Sequence, residues 1–132
     1  MGRGQRQPGA RGVLAAHELL HHGVNCSLST NNVLNPFTPF GDCSMLRMAN
    51  LYANVCHVGT TDGMRACMAM ITDRSAQLLR LTDYGVETGK SADFVVLDCT
   101  TPEQGVAELA APLFGFKRGR GTFTRSVELH RP

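Results

Sequence analysis

The sequence predicts an α/β domain, because helix-forming and strand-forming segments alternate along the chain. Apolar residues recur at helical spacing in Val13–His22 and in Cys43–His57. Two other segments, Val24–Leu28 and Ala92–Leu97, are short and mostly apolar, which is typical of buried strands. A chain of 132 residues is also long enough to bury one hydrophobic core.

The first part of the chain is predicted to contain an irregular start, a helix, a strand and a long loop. Residues 1–12 are rich in glycine and arginine and lack a hydrophobic period, which favours disorder. Gly23 stands where a left-handed residue often ends a helix. The loop Ser29–Gly41 contains two prolines and three asparagines. Loops longer than about 12 residues in compact domains are usually functional or disordered, so this loop is the first candidate for a site.

The second part is predicted to hold three helices, a strand, a short helix and a hairpin. Asp42 is a predicted cap for the helix Cys43–His57, and a methionine-rich helix capped by Thr61 or Asp62 follows it. We interpret the methionines as core-packing residues. The remaining predicted elements are a helix opened by Asp73 or Ser75, the strand Ala92–Leu97, a helix over 102–110, and a hairpin of 114–117 with 122–129.

Composition and charge argue against several classes of partner. The formal net charge is +2, which is too small to indicate nucleic-acid binding. No apolar run approaches the roughly 20 residues of a membrane-spanning helix, so no membrane partner is expected. The five cysteines form no C-x-x-C pair, which argues against a zinc ribbon. Free thiols suit a reducing compartment, so we expect a cytoplasmic protein.

Three stretches carry a resemblance to a known family. They are RGVLAAHELLHHGVNCSLSTNNV (11–33), NPFTPFGDCSMLRMANLYANVC (35–56) and ITDRSAQLLRLTDYGVETGKSADFVVLD (71–98). From about Arg11 to Leu97 the chain resembles the C-terminal part of bacterial cytosine deaminases and their relatives in the amidohydrolase superfamily. The ending GKSADFVVLD is typical of the superfamily, and the loop with its Pro-x-x-Pro is more specific to the cytosine-deaminase-like branch.

The resemblance implies a fold as well as a family. It implies the C-terminal fragment of a metal-dependent TIM barrel, with the last helix–strand unit and the following helices in residues 13–91. Residues 92–132 would supply strands of a small β-sandwich, and Val24–Leu28 would be the eighth barrel strand. A complete barrel needs about 250 residues, so a chain of this length is expected to form only part of one.

The resemblance also implies site residues in the loop after that strand. The family has an aspartate there that binds the catalytic metal and shuttles protons, and its position falls on Asn31. Asn32 falls where many relatives have a second acid near the substrate, and Phe37 where they place an aromatic ring against the base. A full-length relative would therefore hold a divalent metal, zinc or iron, and act on a small nucleobase-like molecule.

Two departures from the family pattern affect the predicted chemistry. Asn31 has an amide oxygen that can contact a metal, but it has no basic group at neutral pH. The family's His-x-His pair is absent, and catalytic zinc needs three or more protein ligands. The histidines present are His17, His21, His22, His57 and His130. We therefore expect this chain to bind no metal by itself.

Two hypotheses of different classes follow. In the first, the chain is a fragment of a metal-dependent amidohydrolase that hydrolyses a C–N bond in a cyclic amidine or amide, and it is inactive alone. In the second, it is a non-catalytic ligand-binding or structural module derived from that fold. The Asn31–Asn32 pair suits hydrogen bonding to a planar ring, although asparagine is also common in turns. Exposed methionine-rich helices are expected to cause self-association.

Overall fold

The computed structural model of the chain describes residues 12–30, 33–36 and 38–126, and the predicted mixture of helices and strands is confirmed there. The first twelve positions, predicted to be irregular, fall outside these ranges except for Gly12. The helices are α1 (Ala16–His21), α2 (Met45–Val55), α3 (Thr61–Ile71), α4 (Asp73–Leu78) and α5 (Pro102–Glu108). The strands are β1 (Phe94–Leu97), β2 (Pro112–Lys117) and β3 (Arg120–Thr124).

Helix α2 begins two residues later than predicted, and its cap is Ser44 rather than Asp42. Cys43 has a φ of 61°, which lies outside the helical region, so the helix cannot start there. The Ser44 hydroxyl accepts a hydrogen bond from the backbone N–H of Arg47 at 3.2 Å. The Asp42 carboxylate instead accepts the N–H of Ser44 at 3.0 Å, so it supports the capping residue.

The hydrophobic core lies among the helices. Buried side chains come from α2, α3, α5 and the turn between α2 and α3, and Met70 and Val106 are fully buried. Met64 and Met68 pack against this cluster, so the predicted packing role of the methionines is confirmed for these residues. The other members of the buried cluster are Ala49, Tyr52, Ala53, Val58 and Cys67.

The strands form a three-stranded antiparallel sheet in the order β1-β2-β3. Phe94 faces Phe116 across β1 and β2, and their rings stack with centroids 4.8 Å apart. Arg118 and Gly119, both with positive φ, connect β2 to β3. The predicted hairpin is therefore confirmed, although its first strand starts earlier and its described second strand ends at Thr124.

The predicted barrel strand Val24–Leu28 is not a strand in the described part of the chain. The N–H of Val24 donates to Leu19 O at 3.1 Å, and that of Leu28 donates to Met70 O at 3.0 Å. A parallel barrel strand is completed by ladders to strands on both sides. Since no strand lies beside this segment within the described ranges, α1 is followed by an irregular segment instead of the predicted helix–strand unit.

Within the residues that the structure describes, no helix combines the length and the hydrophobicity that crossing a membrane requires.

Candidate functional site

The structure describes most of the loop 29–41 that is predicted to carry the site, but not the three predicted site residues. Asn31, Asn32 and Phe37 themselves lie outside the described residues. Their roles therefore remain predictions, and the structure gives the frame around them: the segment that leads into Asn31, the turn that contains position 37, and the junction with α2.

The segment before Asn31 is fixed to the helical core. Leu28 hydrogen-bonds through its backbone to Met70 at the end of α3, and Cys26 and Leu28 pack against the core. The side-chain amide of Asn25 donates to Arg74 O in α4 at 3.1 Å. The Oδ1 atom of Asn25 is buried and has no hydrogen-bond partner among the described residues. Helices α3 and α4 therefore set where the chain enters the candidate loop.

A tight turn spans Asn35 to Thr38. Each of these residues donates its backbone N–H to the backbone oxygen of the other, and both distances are 3.1 Å. The N–H of Thr38 also lies 2.9 Å from Oδ1 of Asn35. Outside this turn, Leu34 donates its N–H to Phe40 O at 3.5 Å. Both sides of position 37 are thus tied together by backbone bonds.

A side chain at Gly41, at the junction with α2, would be strained and tightly packed. Its φ is 117°, and a Cβ there would lie 3.3 Å from Cγ1 of Val33. The next residue, Asp42, lies 3.8 Å from the Arg47 guanidinium on α2. The positive φ of Gly41 and the ion pair between Asp42 and Arg47 therefore fix the direction in which the loop enters α2.

Helix α1, which leads into the loop segment, is tied to α2 by one tyrosine. The Tyr52 hydroxyl accepts the backbone N–H of His17 at 3.0 Å and lies 2.7 Å from Nδ1 of the same residue. The hydroxyl therefore makes two hydrogen bonds to one residue, and the tautomer of the His17 imidazole sets which partner donates in the second. Burial is the main cause that raises the pKa of Tyr52 to about 12.

This pair was not foreseen from the sequence. Each residue occupies an apolar stripe of its own helix, and no local spacing links positions 17 and 52. Contacts between distant segments follow from the tertiary packing, so only the structure brings them together. Their role is to position α1 and the segment that follows it.

The described residues do not supply a metal site. Within the ranges 12–30, 33–36 and 38–126, no three His, Cys, Asp or Glu side chains are grouped so that they could hold a metal ion. A catalytic zinc ion requires at least three protein ligands. The donor set of the described residues does not fit such a group.

Comparison with known proteins decides the family. The sequence pattern of the amidohydrolase family matches residues 1–112. The chain belongs to the amidohydrolase family. It is 31% identical over 104 residues to N-isopropylammelide isopropyl amidohydrolase of Pseudomonas sp. (strain ADP), covering 78% of this chain and 26% of that protein. It is 29% identical over 97 residues to 5-methylthioadenosine/S-adenosylhomocysteine deaminase of Thermotoga maritima, covering 70% of this chain and 22% of that protein.

Solved structures support the same family and the predicted cytosine-deaminase-like branch. The amidohydrolase chain is similar to 5-methylcytosine deaminase from Klebsiella pneumoniae liganded with 5-fluorocytosine, with a TM-score of 0.83 and 29% identity. That match covers 91% of this chain and 29% of the deaminase chain. N-isopropylammelide isopropylaminohydrolase from Burkholderia multivorans shares the fold, with a TM-score of 0.79 at 24% identity. This chain spans about a quarter of the length of the curated relatives described above.

Proposed function

We propose that this chain is the C-terminal share of a metal-dependent amidohydrolase that cleaves a carbon–nitrogen bond in a small, nucleobase-like ring. The observation that supports this most directly is the likeness of 91% of the chain to one part of a 5-methylcytosine deaminase. One curated relative is named as an amidohydrolase and the other as a deaminase, and both names denote cleavage of a carbon–nitrogen bond. A ring amidine or amide is the substrate class common to these chemistries.

In this proposal the loop of residues 29–41 faces the substrate. Asn31 occupies the position of the family's metal-binding, proton-shuttling aspartate, Asn32 hydrogen-bonds the ring, and Phe37 stacks on it. The group that the family implies is a divalent zinc or iron ion, which would activate the attacking water if the rest of a barrel supplied its ligands. An amide at position 31 offers an oxygen but accepts no proton at neutral pH, so this residue orients without acting as a base.

The isolated chain is proposed to be inactive. The described residues form no ligand group for a metal, and the family's histidines are absent from the sequence. The rest of a TIM barrel would have to supply them, since the chain covers only 29% of the structural relative. The proposed location is the cytoplasm, because all five cysteines are free thiols in the described part of the chain.

The amide at position 31 also favours a second candidate function. A neutral pair, Asn31 and Asn32, can donate to and accept from a planar ring without performing acid–base chemistry. On this alternative the module binds a ligand, or serves a structural role, and hydrolyses nothing. Substitution at position 31 distinguishes the two functions.

The test is a chimera in which residues 12–112 of this chain replace the matching stretch of the Klebsiella 5-methylcytosine deaminase. Turnover and apparent affinity for 5-methylcytosine are measured for the chimera and for its Asn31→Asp variant. Restoring a carboxylate is expected to raise turnover by roughly 10²–10⁴-fold, the usual contribution of a positioned acid–base group. Gln77→Glu on α4 makes the same amide-to-carboxylate change at an exposed position outside the loop, where the side chain accepts from Arg74, and is the matched control.

Two further variants examine the ring contacts. Asn32→Ala and Phe37→Ala are expected to weaken binding more than turnover, and the loss of stacking is worth about 1–3 kcal/mol by analogy with bases on aromatic rings. A chimera whose turnover is unchanged by Asn31→Asp would rule out the proton-shuttle position. Tight ligand binding in that chimera would then favour the non-catalytic module.

A further inference from the structure

The turn of residues 35–38 is closed by a side chain as well as by the backbone. Asn35 and Thr38 exchange two backbone hydrogen bonds of 3.1 Å, and the same Thr38 N–H lies 2.9 Å from Oδ1 of Asn35. The Thr38 N–H therefore has two acceptors on one residue. Asparagine is favoured at the first position of a β-turn and proline, here Pro36, at the second. The residue types and the observed contacts thus agree on a four-residue turn.

This turn depends on its own contacts to stay closed. The pairing of Asn35 with Thr38 is an isolated bridge, and it belongs to none of the strands in the described part of the chain. The next pairing outward, from the Leu34 N–H to Phe40 O, is 3.5 Å long, which is longer than usual for a hydrogen bond of this type. A hairpin without further strands is marginally stable in water. The third bond, from Thr38 to the Asn35 side chain, is therefore a substantial part of what holds the turn.

Position 37 is the third residue of this turn, between Pro36 and Thr38. In the proposed function Phe37 stacks on a planar ring, so its affinity for the ring depends on how well the backbone on both sides is ordered before the ring binds. A loop that is already ordered loses less conformational freedom on binding, and the ligand is bound more tightly for that reason. Whatever holds the turn closed thus contributes to ring affinity.

We propose that Asn35 is a positioning residue of the ring-binding site: its Oδ1 atom holds the 35–38 turn closed, and the closed turn orders the backbone around Phe37 for stacking. This inference rests on the proposed function, since Phe37 is assigned to the ring only there. It adds a determinant of affinity that the family resemblance does not include. Because Oδ1 binds a backbone N–H, Asn35 acts through Phe37 and affects binding more than the reaction itself.

The experiment measures the dissociation constant of 5-fluorocytosine by calorimetry, with the chimera that carries residues 12–112 of this chain. Asn35→Ala is expected to weaken binding about threefold to tenfold, the effect of losing one ordinary hydrogen bond. Asn35→Asp keeps an oxygen acceptor in the same place and should bind nearly as tightly as the chimera itself. Asn54→Ala makes the same substitution at an exposed position of α2, outside the loop, and should leave the affinity unchanged.

Two further measurements separate positioning from a merely structural role. Phe37→Ala removes the ring that the turn positions, so adding Asn35→Ala to it should cause no further loss of affinity. A substitution that only destabilised the fold would instead lower the affinity in both backgrounds. In the full chain, hydrogen exchange of the Thr38 amide reports on the turn itself, and it should be faster in Asn35→Ala than in Asn35→Asp.

Circular dichroism shows whether each variant is folded, and Asn35→Ser, which offers a weaker acceptor, replaces Asn35→Ala if that variant does not fold. Ring binding that is unchanged by loss of the acceptor would overturn this inference alone. So would a loss of affinity that persists in full in the Phe37→Ala background, or Thr38 exchange that responds to neither substitution. A chimera that binds no ring compound would overturn the proposed function and this inference with it.

Discussion

The Tyr52 hydroxyl lies between two atoms of His17, 3.0 Å from the backbone nitrogen and 2.7 Å from Nδ1. Tyr52 itself is buried in the helical core, and the rings of the two residues pack edge to face with centroids 5.7 Å apart. This contact fixes the first turn of α1 on α2. Because α1 leads into the segment before Asn31, the contact also sets the approach to the candidate loop.

Removing this hydroxyl is expected to destabilise the chain. Tyr52→Phe keeps the buried ring but leaves the half-buried His17 N–H without this partner, and a typical hydrogen bond contributes about 1 kcal/mol to stability. Urea denaturation gives the free energy of unfolding for each protein. Tyr84→Phe removes the same atom from a partly buried tyrosine outside this contact and should have a smaller effect. Equal stability of Tyr52→Phe and the original chain would show that the contact contributes nothing.

The same tyrosine predicts how stability depends on alkaline pH. Burial raises the pKa of Tyr52 from 10.0 to about 12, so the folded state retains a proton that the unfolded state has released in this window. The contribution of the neutral phenol is fully present below pH 10 and is lost as the pH rises towards 12. The free energy of unfolding should therefore fall more steeply over this range in the original chain than in Tyr52→Phe. Parallel pH profiles of the two proteins would contradict this assignment.

The hairpin depends on a glycine beneath an aromatic ring. A Cβ at Gly115 would lie 2.2 Å from Cε1 of Phe123, whereas a Cβ at Gly121 would meet no atom within 4 Å. Gly115→Ala is expected to cost about 1–3 kcal/mol through overpacking. Gly121→Ala is the matched control and should be nearly neutral. Thermal melts of the two variants provide the comparison, and equal melting temperatures would show that Phe123 moves aside without cost.

The cysteines are predicted to react in a definite order. Cys43 is exposed, whereas Cys67 is fully buried and its pKa is raised to about 11, mainly by burial. Since the thiolate is the reactive form, Cys67 should be alkylated last at pH 8. Mass spectrometry after timed alkylation gives the order, and Cys43→Ser should abolish the fast phase. Early labelling of Cys67 in the folded chain would mean that the core opens readily.

Local sequence signals predicted the helices and the hairpin well. The 3.6-residue period marks α2 and α3 because their apolar faces meet in one core, and the glycine-rich stretch after Lys117 marks a turn. The start of α2 was misplaced at Cys43, since a positive φ at that residue has no signature in a cysteine side chain. Thr60, immediately before the predicted Thr61, caps α3 by accepting the Gly63 N–H at 3.1 Å.

Contacts between segments that are distant along the chain cannot be predicted from local sequence patterns. The apolar run Val24–Leu28 has the composition of a barrel strand, but a parallel strand forms only when flanking strands supply its ladder. The Tyr52–His17 contact depends on packing between segments 35 positions apart. The candidate residues Asn31, Asn32 and Phe37 rest on family resemblance, and they stay predictions because they lie outside the described residues.

Ammonia release from 5-methylcytosine by the purified 132-residue chain, with zinc or iron added, tests most directly whether this chain is inactive by itself. Because the described residues group no three metal ligands, we predict release no faster than in buffer with the same metal. The chimera with the Klebsiella enzyme that carries Asn31→Asp, assayed in parallel, should release ammonia. Metal-dependent release by the chain alone, lost on substitution within residues 29–41, would show instead that this chain holds a complete active site.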